Sequence, residues 1–597
     1  MPGQIIHDVK RTGAKKLIVC CDGTWMDSDN GNNRTPSNVT RLARAIKPED
    51  EHDHPQIVYY QAGIGTGLGL FAQVAGGGTG LGFSENVREA YAFLANNYYK
   101  AEDSALDRNG DETDSIFLIG FSRGAYTARS LGGLVGQLGL LRKENMQWFY
   151  DIFEDWQNAG NPDYKPRFWT NWSRWNVDVQ GGKPHSISSN PNDIAHVNDY
   201  LEDYRKKLLA LQLTQEADIS AIGVFDTVGA LGVPVSPFVK KIFKLPAFLH
   251  KYMWVDTALD NHVKNAFQAL ALDEHRAPFY PSVWERPDRC QTNLKQVWFA
   301  GAHSSIGGAY PDIGQANITL AWMMDQLSGD ELKRANNHKW HPKHWLHFDP
   351  NFIRDQKKLN DDWQKRHYAP ANASKEAKVK KIRNWAMGAI YNSLTFPHVL
   401  AGSRTRRPGR THPVTIFDYE TQDRLLWNTN ERIHSSVRIR INHSGNEFES
   451  NPRDCIPRKI GDFLVQGGFK LFHMLLGRTA KPYYHPQTHG PLTDWTLRDG
   501  FKYHDDYAFN TDERPSGQVP FWEYVGKDPL MKRGNPIMKE DELGTHEMML
   551  LEEYGETMAD YVIGSNSGKK SVDDHPHVKR HGVYISSGKE SHEVRSL

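Results

Sequence analysis

A serine, an aspartate and a histidine each follow an apolar run in this sequence, in that chain order, and together these side chains could carry out acyl transfer. Ser122 is the centre of Gly120-Phe121-Ser122-Arg123-Gly124, the G-x-S-x-G pattern that presents a serine on a sharp turn between strand and helix. Its glycines answer a steric need, because a strained serine backbone leaves its neighbours in space no room for a Cβ. The other reading of so short a match is a structural turn. Asp226 follows a run from Asp218 to Phe225 and would fix the tautomer of a histidine and stabilise its cation. Asp256, Asp260, Asp273 and Glu274 compete for that role, and a loop-capping aspartate is the plainer alternative. His303 lies in a small-residue loop after Gln296 to Ala300 and would act as general base for Ser122. As one histidine among 27 it stands out only through the other two strand ends. The Arg123 amide, at a helix start, would donate to an oxyanion, with amides near Gly23 and Thr24 as second donors. For the loop at Asp22, a capped turn is an equal reading.

The elements that must position these groups are short, continuously apolar runs. Leu17 to Cys21, Ile57 to Tyr60, Ile116 to Ile119, Asp218 to Phe225 and Gln296 to Ala300 read as strands, most of them covered on both faces. Between them, helices are expected over 35–46 with Ser37 as cap, over 85–99 with Ser84 as cap, over 125–134, over 260–274 and over 315–326. The alternation predicts an α/β fold, a mostly parallel sheet flanked by helices. Gly63 to Gly82 is glycine-rich but fits neither a phosphate loop nor a dinucleotide fingerprint, so a loop bordering the site is expected. Two insertions are expected, near 145–200 with little regular structure and near 235–255. The second mixes lysines with Phe238, Phe243 and Phe248; with Trp25 these would touch substrate, as a lid opening on a lipid surface or as a helical cap.

At 597 residues the chain is long enough for two to four units. Lys+Arg and Asp+Glu both number 72, so net charge gives no case for nucleic acid. Four cysteines without metal-knuckle spacing argue against a disulfide framework and a zinc site. The N-terminus lacks an apolar leader and no run of about 20 apolar residues occurs, so a cytoplasmic location is expected, with non-classical export left open.

After residue 330 the composition shifts. His338, His341, His344 and His347 invite a metal reading, but Pro342 and Pro350 break the helix that would align them, and a solvated loop is expected. A basic helix is expected over 375–392, a half-buried strand over 432–441, and a helix over 540–558. The apolar stretch 461–477 is too short to span a bilayer and reads as buried helices or an interfacial anchor.

Several ordered motifs together resemble a family: LIVCCDGTW from Leu17, QAGIGTG from Gln61, GFSRGA from Gly120, FDTVG from Phe225, ALDEHR from Ala271 and WFAGAHSSIGGAY from Trp298. They resemble the α/β-hydrolase domain family that includes the phospholipase effectors of bacterial type VI secretion. The resemblance implies a triad on Ser122, Asp226 and His303, and esterase or phospholipase chemistry, without fixing the substrate; a small-molecule or lipid ester and no cofactor are expected. Where the family often has an acidic residue two positions after the histidine, this chain has Ser305. The expected organisation is a catalytic domain over 1–330, a mixed α+β cap or second domain over 331–564, and a frayed polar tail over 565–597. Two rival functions remain: a metal-dependent hydrolase using Asp22, Asp226 and His303, and a non-catalytic scaffold with a vestigial serine turn. Peripheral membrane contact is a possible accompaniment, and oligomeric state is open.

Overall fold

The first strand shows why a layered sheet forms. In β1 (Lys16–Cys21), Leu17, Val19 and Cys21 enter one apolar cluster, while Ile18 and Cys20 enter another on the opposite face. A strand apolar on both sides is stable only between two covering layers. The computed structural model describes residues 14–23, 35–63, 79–101, 113–159, 164–169, 194–228, 259–335, 337, 344–368, 382–393, 402–412, 424–443, 484–498, 520–533 and 536–555.

In chain order, α1 (Asn38–Ala45), β2 (Gln56–Gln61) and α2 (Thr79–Asn97) lead to β3 (Ser115–Phe121) and α3 (Arg123–Leu138). Then come α4 (Phe149–Gln157), α5 (Ile194–Ala210), β4 (Ile219–Phe225), β5 (Asn265–Ala271) and β6 (Asn293–Phe299). The short α6 (His303–Gly307) is followed by α7 (Gly314–Leu327) and α8 (Phe352–His367). β7 (Glu431–His434) runs directly into α9 (Ser435–Asn442), and β8 (Trp495–Arg498), β9 (Phe521–Tyr524), β10 (Ile537–Asp541) and α10 (Thr545–Glu552) follow.

Among the described residues the strands form a ten-stranded sheet in the order β8-β9-β10-β7-β6-β5-β4-β3-β1-β2. From β10 to β2 every neighbouring pair is parallel, and only β8 and β9 add antiparallel pairs. The fold is therefore α/β, as the apolar runs predict. β7 pairs with β6 from Gln296↔Glu431 to Trp298↔Ile433, so the later strands widen the sheet begun by residues 16–299. Val39, Leu42, Ile318 and Trp322 cover one face, and Val87, Tyr91, Leu131 and Leu201 cover the other.

Several elements differ from expectation. Residues 265–271 are not helical but form β5, because β4 and β6 supply ladder partners on both sides. Ser84 lies inside α2 instead of capping it, and its hydroxyl accepts from Gln157 Nε2 at 2.8 Å. The region near 148–196, expected to be irregular, includes α4. The strand expected over 432–441 is β7 followed by α9, with Arg438 and Arg440 buried rather than facing water. Residues 382–393 are not helical, and Ala386 has φ 65°. The helix expected over 540–558 shortens to α10, after β10. Most of the glycine-rich loop, the 235–255 stretch with Phe238, Phe243 and Phe248, Asp256, Thr24, Trp25, His338, His341, the 461–477 stretch and the tail lie outside the described residues. None of the helices searched among the described residues is long and apolar enough to cross a membrane.

Candidate functional site

β3 delivers Ser122 to the carboxyl edge of the sheet, and the chain turns there into α3. A Cβ on Gly124 would stand 2.2 Å from the carbonyl oxygen of Cys21, and one on Gly120 would stand 2.5 Å from Ala125 Cα. Backbone therefore packs on backbone at both glycines, which allows the sharp turn. Ser122 itself has φ 58° and ψ −121°, a conformation that costs a non-glycine residue about 1–3 kcal/mol. Its amide is held by the Phe225 carbonyl at 3.0 Å.

The next strand ends supply the partners. β4 ends at Phe225, opposite Phe121 in register, and Asp226 follows with φ 44°. The Asp226 amide donates to Ala269 O at 2.7 Å, and its Oδ1 accepts from the Ala271 amide at 2.9 Å. β6 ends at Phe299, and His303 opens α6 four residues later. His303 Nε2 lies 2.8 Å from Ser122 Oγ, and Nδ1 lies 2.5 Å from Asp226 Oδ2. The imidazole is braced by two rings, Phe121 at 4.7 Å and Phe279 at 5.0 Å between centroids. Ser122, Asp226 and His303 thus form one hydrogen-bonded chain, all three buried.

Charge around this chain is tightly arranged. Burial pushes the Asp226 carboxyl toward neutrality, but Arg406 and His303 outweigh it and hold the group below the ordinary carboxylate value. Arg406 grips Asp226 with both ends of its fork, Nη1 to Oδ1 at 2.5 Å and Nη2 to Oδ2 at 3.0 Å, and also donates to the carbonyls of Ala271 and Phe279. Burial lowers the His303 pKa, and this outweighs the pull of Asp226 toward the cation. A buried, neutral imidazole whose Nδ1 proton goes to a carboxylate leaves Nε2 free to accept from the serine.

The rival acids have other work. Asp260 bonds His262 before β5 begins, away from the carboxyl edge. Asp273 accepts from the Gly301 amide and from Tyr484, fixing the loop ahead of His303. Glu274 accepts from the His303 amide at 3.3 Å, is paired with Arg276, and takes the Ser393 hydroxyl. Ser305 is buried beside them, with its hydroxyl unsatisfied among the described residues.

Of the three expected oxyanion donors, Arg123 opens α3, where a helix leaves its first amides without intrahelical acceptors. Gly23 borders Ser122, its would-be Cβ 3.4 Å from Ser122 Cβ, but its amide donates to Asp22 Oδ1 at 2.6 Å. That amide is engaged, and Thr24 lies outside the described residues. The Asp22 loop follows the capped-turn reading: Asp22 Oδ2 accepts from Ser37, Thr40 and Tyr60. Its oxygens are thereby used, and those of Asp226 face a guanidinium that would repel a cation. A metal centre on Asp22, Asp226 and His303 does not fit these donors. Among the described residues no group of three or more His, Cys, Asp or Glu side chains is placed to hold a metal ion.

Sequence reasoning missed Arg406, which stands 180 positions after Asp226. The only local signal was the density of arginines in Ser403 to Arg410.

The fold and site define an α/β protein whose parallel sheet carries a serine, a histidine and an aspartate joined by hydrogen bonds at its carboxyl edge. The chain belongs to the family described as "T6SS, Phospholipase effector Tle1-like, catalytic domain", which matches residues 15–326, just over half of its length. It is also similar to the uncharacterised protein YEL023C of Saccharomyces cerevisiae, 24% identical over 269 residues, 45% of this chain. The match spans 32% of the yeast protein, so about a third of that relative's length is covered. Among solved structures, one of the Tle1 effector bound to the VgrG spike of the type VI secretion system matches at 18% identity, covering 50% of this chain and 52% of the other, with a TM-score of 0.25. An uncharacterised protein from Pseudomonas aeruginosa matches at 16% identity, covering 62% and 56%, with a TM-score of 0.27.

Proposed function

We propose that the protein is a serine hydrolase of carboxylic esters, with an α/β-hydrolase arrangement and a lipase- or phospholipase-like substrate. The observation that carries this reading is the 2.8 Å approach of His303 Nε2 to a Ser122 hydroxyl held in a strained turn. In the proposed cycle His303 takes the Ser122 proton as Oγ attacks the ester carbonyl, and the Arg123 amide donates to the developing oxyanion. His303 then protonates the leaving alcohol. Water attacks the acyl-enzyme with His303 again as base, releasing the acid and restoring Ser122. Asp226 stabilises the transient imidazolium throughout. Membership of a phospholipase effector family supports a lipid ester over a small polar one.

A fluorophosphonate probe tests this directly. It should label the wild-type protein at Ser122, and Ser122→Ala should abolish labelling and reduce turnover of an activated ester by several orders of magnitude while folding is retained. Undiminished turnover in that variant would remove the assignment, and loss of activity on chelation would favour a metal-dependent route.

A further inference from the structure

The loop 402–412 carries four arginines that face two ways. Arg406 is buried and holds Asp226 from within. Arg404 and Arg407 are exposed, and with Arg410, His412, Tyr280 and Asp528 they line a cavity of about 370 Å³. Arg410 is neutralised there, by Asp494 at 2.7 Å and Asp528 at 3.1 Å. Arg404 and Arg407 have no carboxylate within ion-pair distance among the described residues; Arg404 instead lies over the Tyr280 ring, 3.7 Å from its centroid. Two uncompensated guanidinium forks border one open space, and that geometry suits a tetrahedral oxyanion.

The loop that lines the cavity also reaches the triad, through Arg406. Ala277 N donates to Gly402 O and Arg404 N to His275 O, which stitches the loop to the segment leaving β5. Arg406 pins the carbonyl of Phe279, whose ring braces His303, and Tyr280 is the next residue. The aromatic wall of the cavity is thus the neighbour in sequence of a ring in contact with the imidazole.

We propose that this cavity binds a phosphoryl group, and that in ester hydrolysis the group is the head-group phosphate of the substrate. The second part rests on the function proposed above. Arg404 and Arg407 then select a phosphodiester-bearing ester over a neutral one with the same acyl chain.

The test compares the kcat/KM ratio for monomeric dihexanoyl phosphatidylglycerol over p-nitrophenyl hexanoate, in the wild type and in the double variant Arg404→Ala/Arg407→Ala, with Arg407→Glu as a second variant. A monomeric lipid removes general adsorption to a charged surface. The ratio should fall at least about tenfold, as expected for lost charge-assisted hydrogen bonds. Inorganic phosphate should compete with the lipid in the wild type and less well in the variants. An unchanged ratio overturns the head-group assignment, even where inorganic phosphate binds. Calorimetric titration of inorganic phosphate into Ser122→Ala needs no turnover: absence of binding that depends on Arg404 and Arg407 overturns the site itself. Failure of the proposed hydrolase is separately visible, as a wild type that neither cleaves the neutral ester nor takes the fluorophosphonate.

Discussion

Replacing Arg406 with glutamine removes the only full positive charge in contact with Asp226 among the described residues, without opening a large cavity. The fork lies 2.5 and 3.0 Å from the two carboxylate oxygens, which puts the charge centres roughly 4 Å apart; at an effective dielectric near 20 that attraction is about 4 kcal/mol. Without it burial is opposed more weakly and the Asp226 pKa moves upward. His303 Nδ1 lies 2.5 Å from Asp226 Oδ2, and the sign is the same for both groups: losing a nearby cation makes each bind protons more tightly. Because the proposed cycle needs a neutral imidazole and an ionised carboxylate, the acid limb of kcat/KM should move to higher pH. The plateau should also fall, since the carboxylate loses the anchor that orients it. Breaking a buried pair costs about 3–5 kcal/mol of stability, so the profile is measured on protein shown to be folded by circular dichroism. Arg406→Lys serves as the control, because it keeps the charge and loses the fork: it should restore the position of the limb and only part of the plateau. A folded Arg406→Gln protein whose acid limb stays in place would refute the electrostatic role and leave Arg406 a packing residue.

Gly124→Ala should destabilise the fold by about 3 kcal/mol or more in denaturant unfolding, because the new Cβ meets the backbone oxygen of Cys21 and neither chain can yield by a rotamer change. A chain ending after residue 330 should be insoluble or inactive: it would uncover the β6 edge where β7 pairs and would lack Arg406, and light scattering with an ester assay checks both. Glu274 is held below the usual carboxylate range by Arg276 against the effect of burial. A depressed carboxyl contributes stability that is present above its unfolded value near 4.5 and is lost as pH falls through the folded value. Between those limits the wild type should therefore lose denaturant resistance faster than Glu274→Gln does, and parallel curves would contradict this.

The candidate site was legible at three strand ends because the signals there are local. A continuous apolar run followed by a polar turn marks a buried strand, and the glycines around Ser122 report a steric demand within five residues. Residues 265–271 were misread because a short run of Asn, Ala, Phe, Gln and Leu satisfies helix and strand alike. Ladder partners at Ala266 to Ala269 on one side and at Asn265 to Ala271 on the other decided the matter. At 432–441, alternating arginines read as a solvated face. Arg438 instead meets Glu540, and Arg440 meets the carbonyls of Ala386 and Gly388, so partners about 50 to 100 positions away made burial affordable and a helix possible.

By itself the sequence determined most of the backbone segments that are buried on both sides and which side chains stand where those segments end, since both follow from periodicity and from sterics over a few residues. Only the tertiary structure decided what those side chains face. The cation on Asp226, the bond that occupies the Gly23 amide and the rings that brace His303 are contacts across the fold or details of backbone orientation. Distance along the chain carries no record of either.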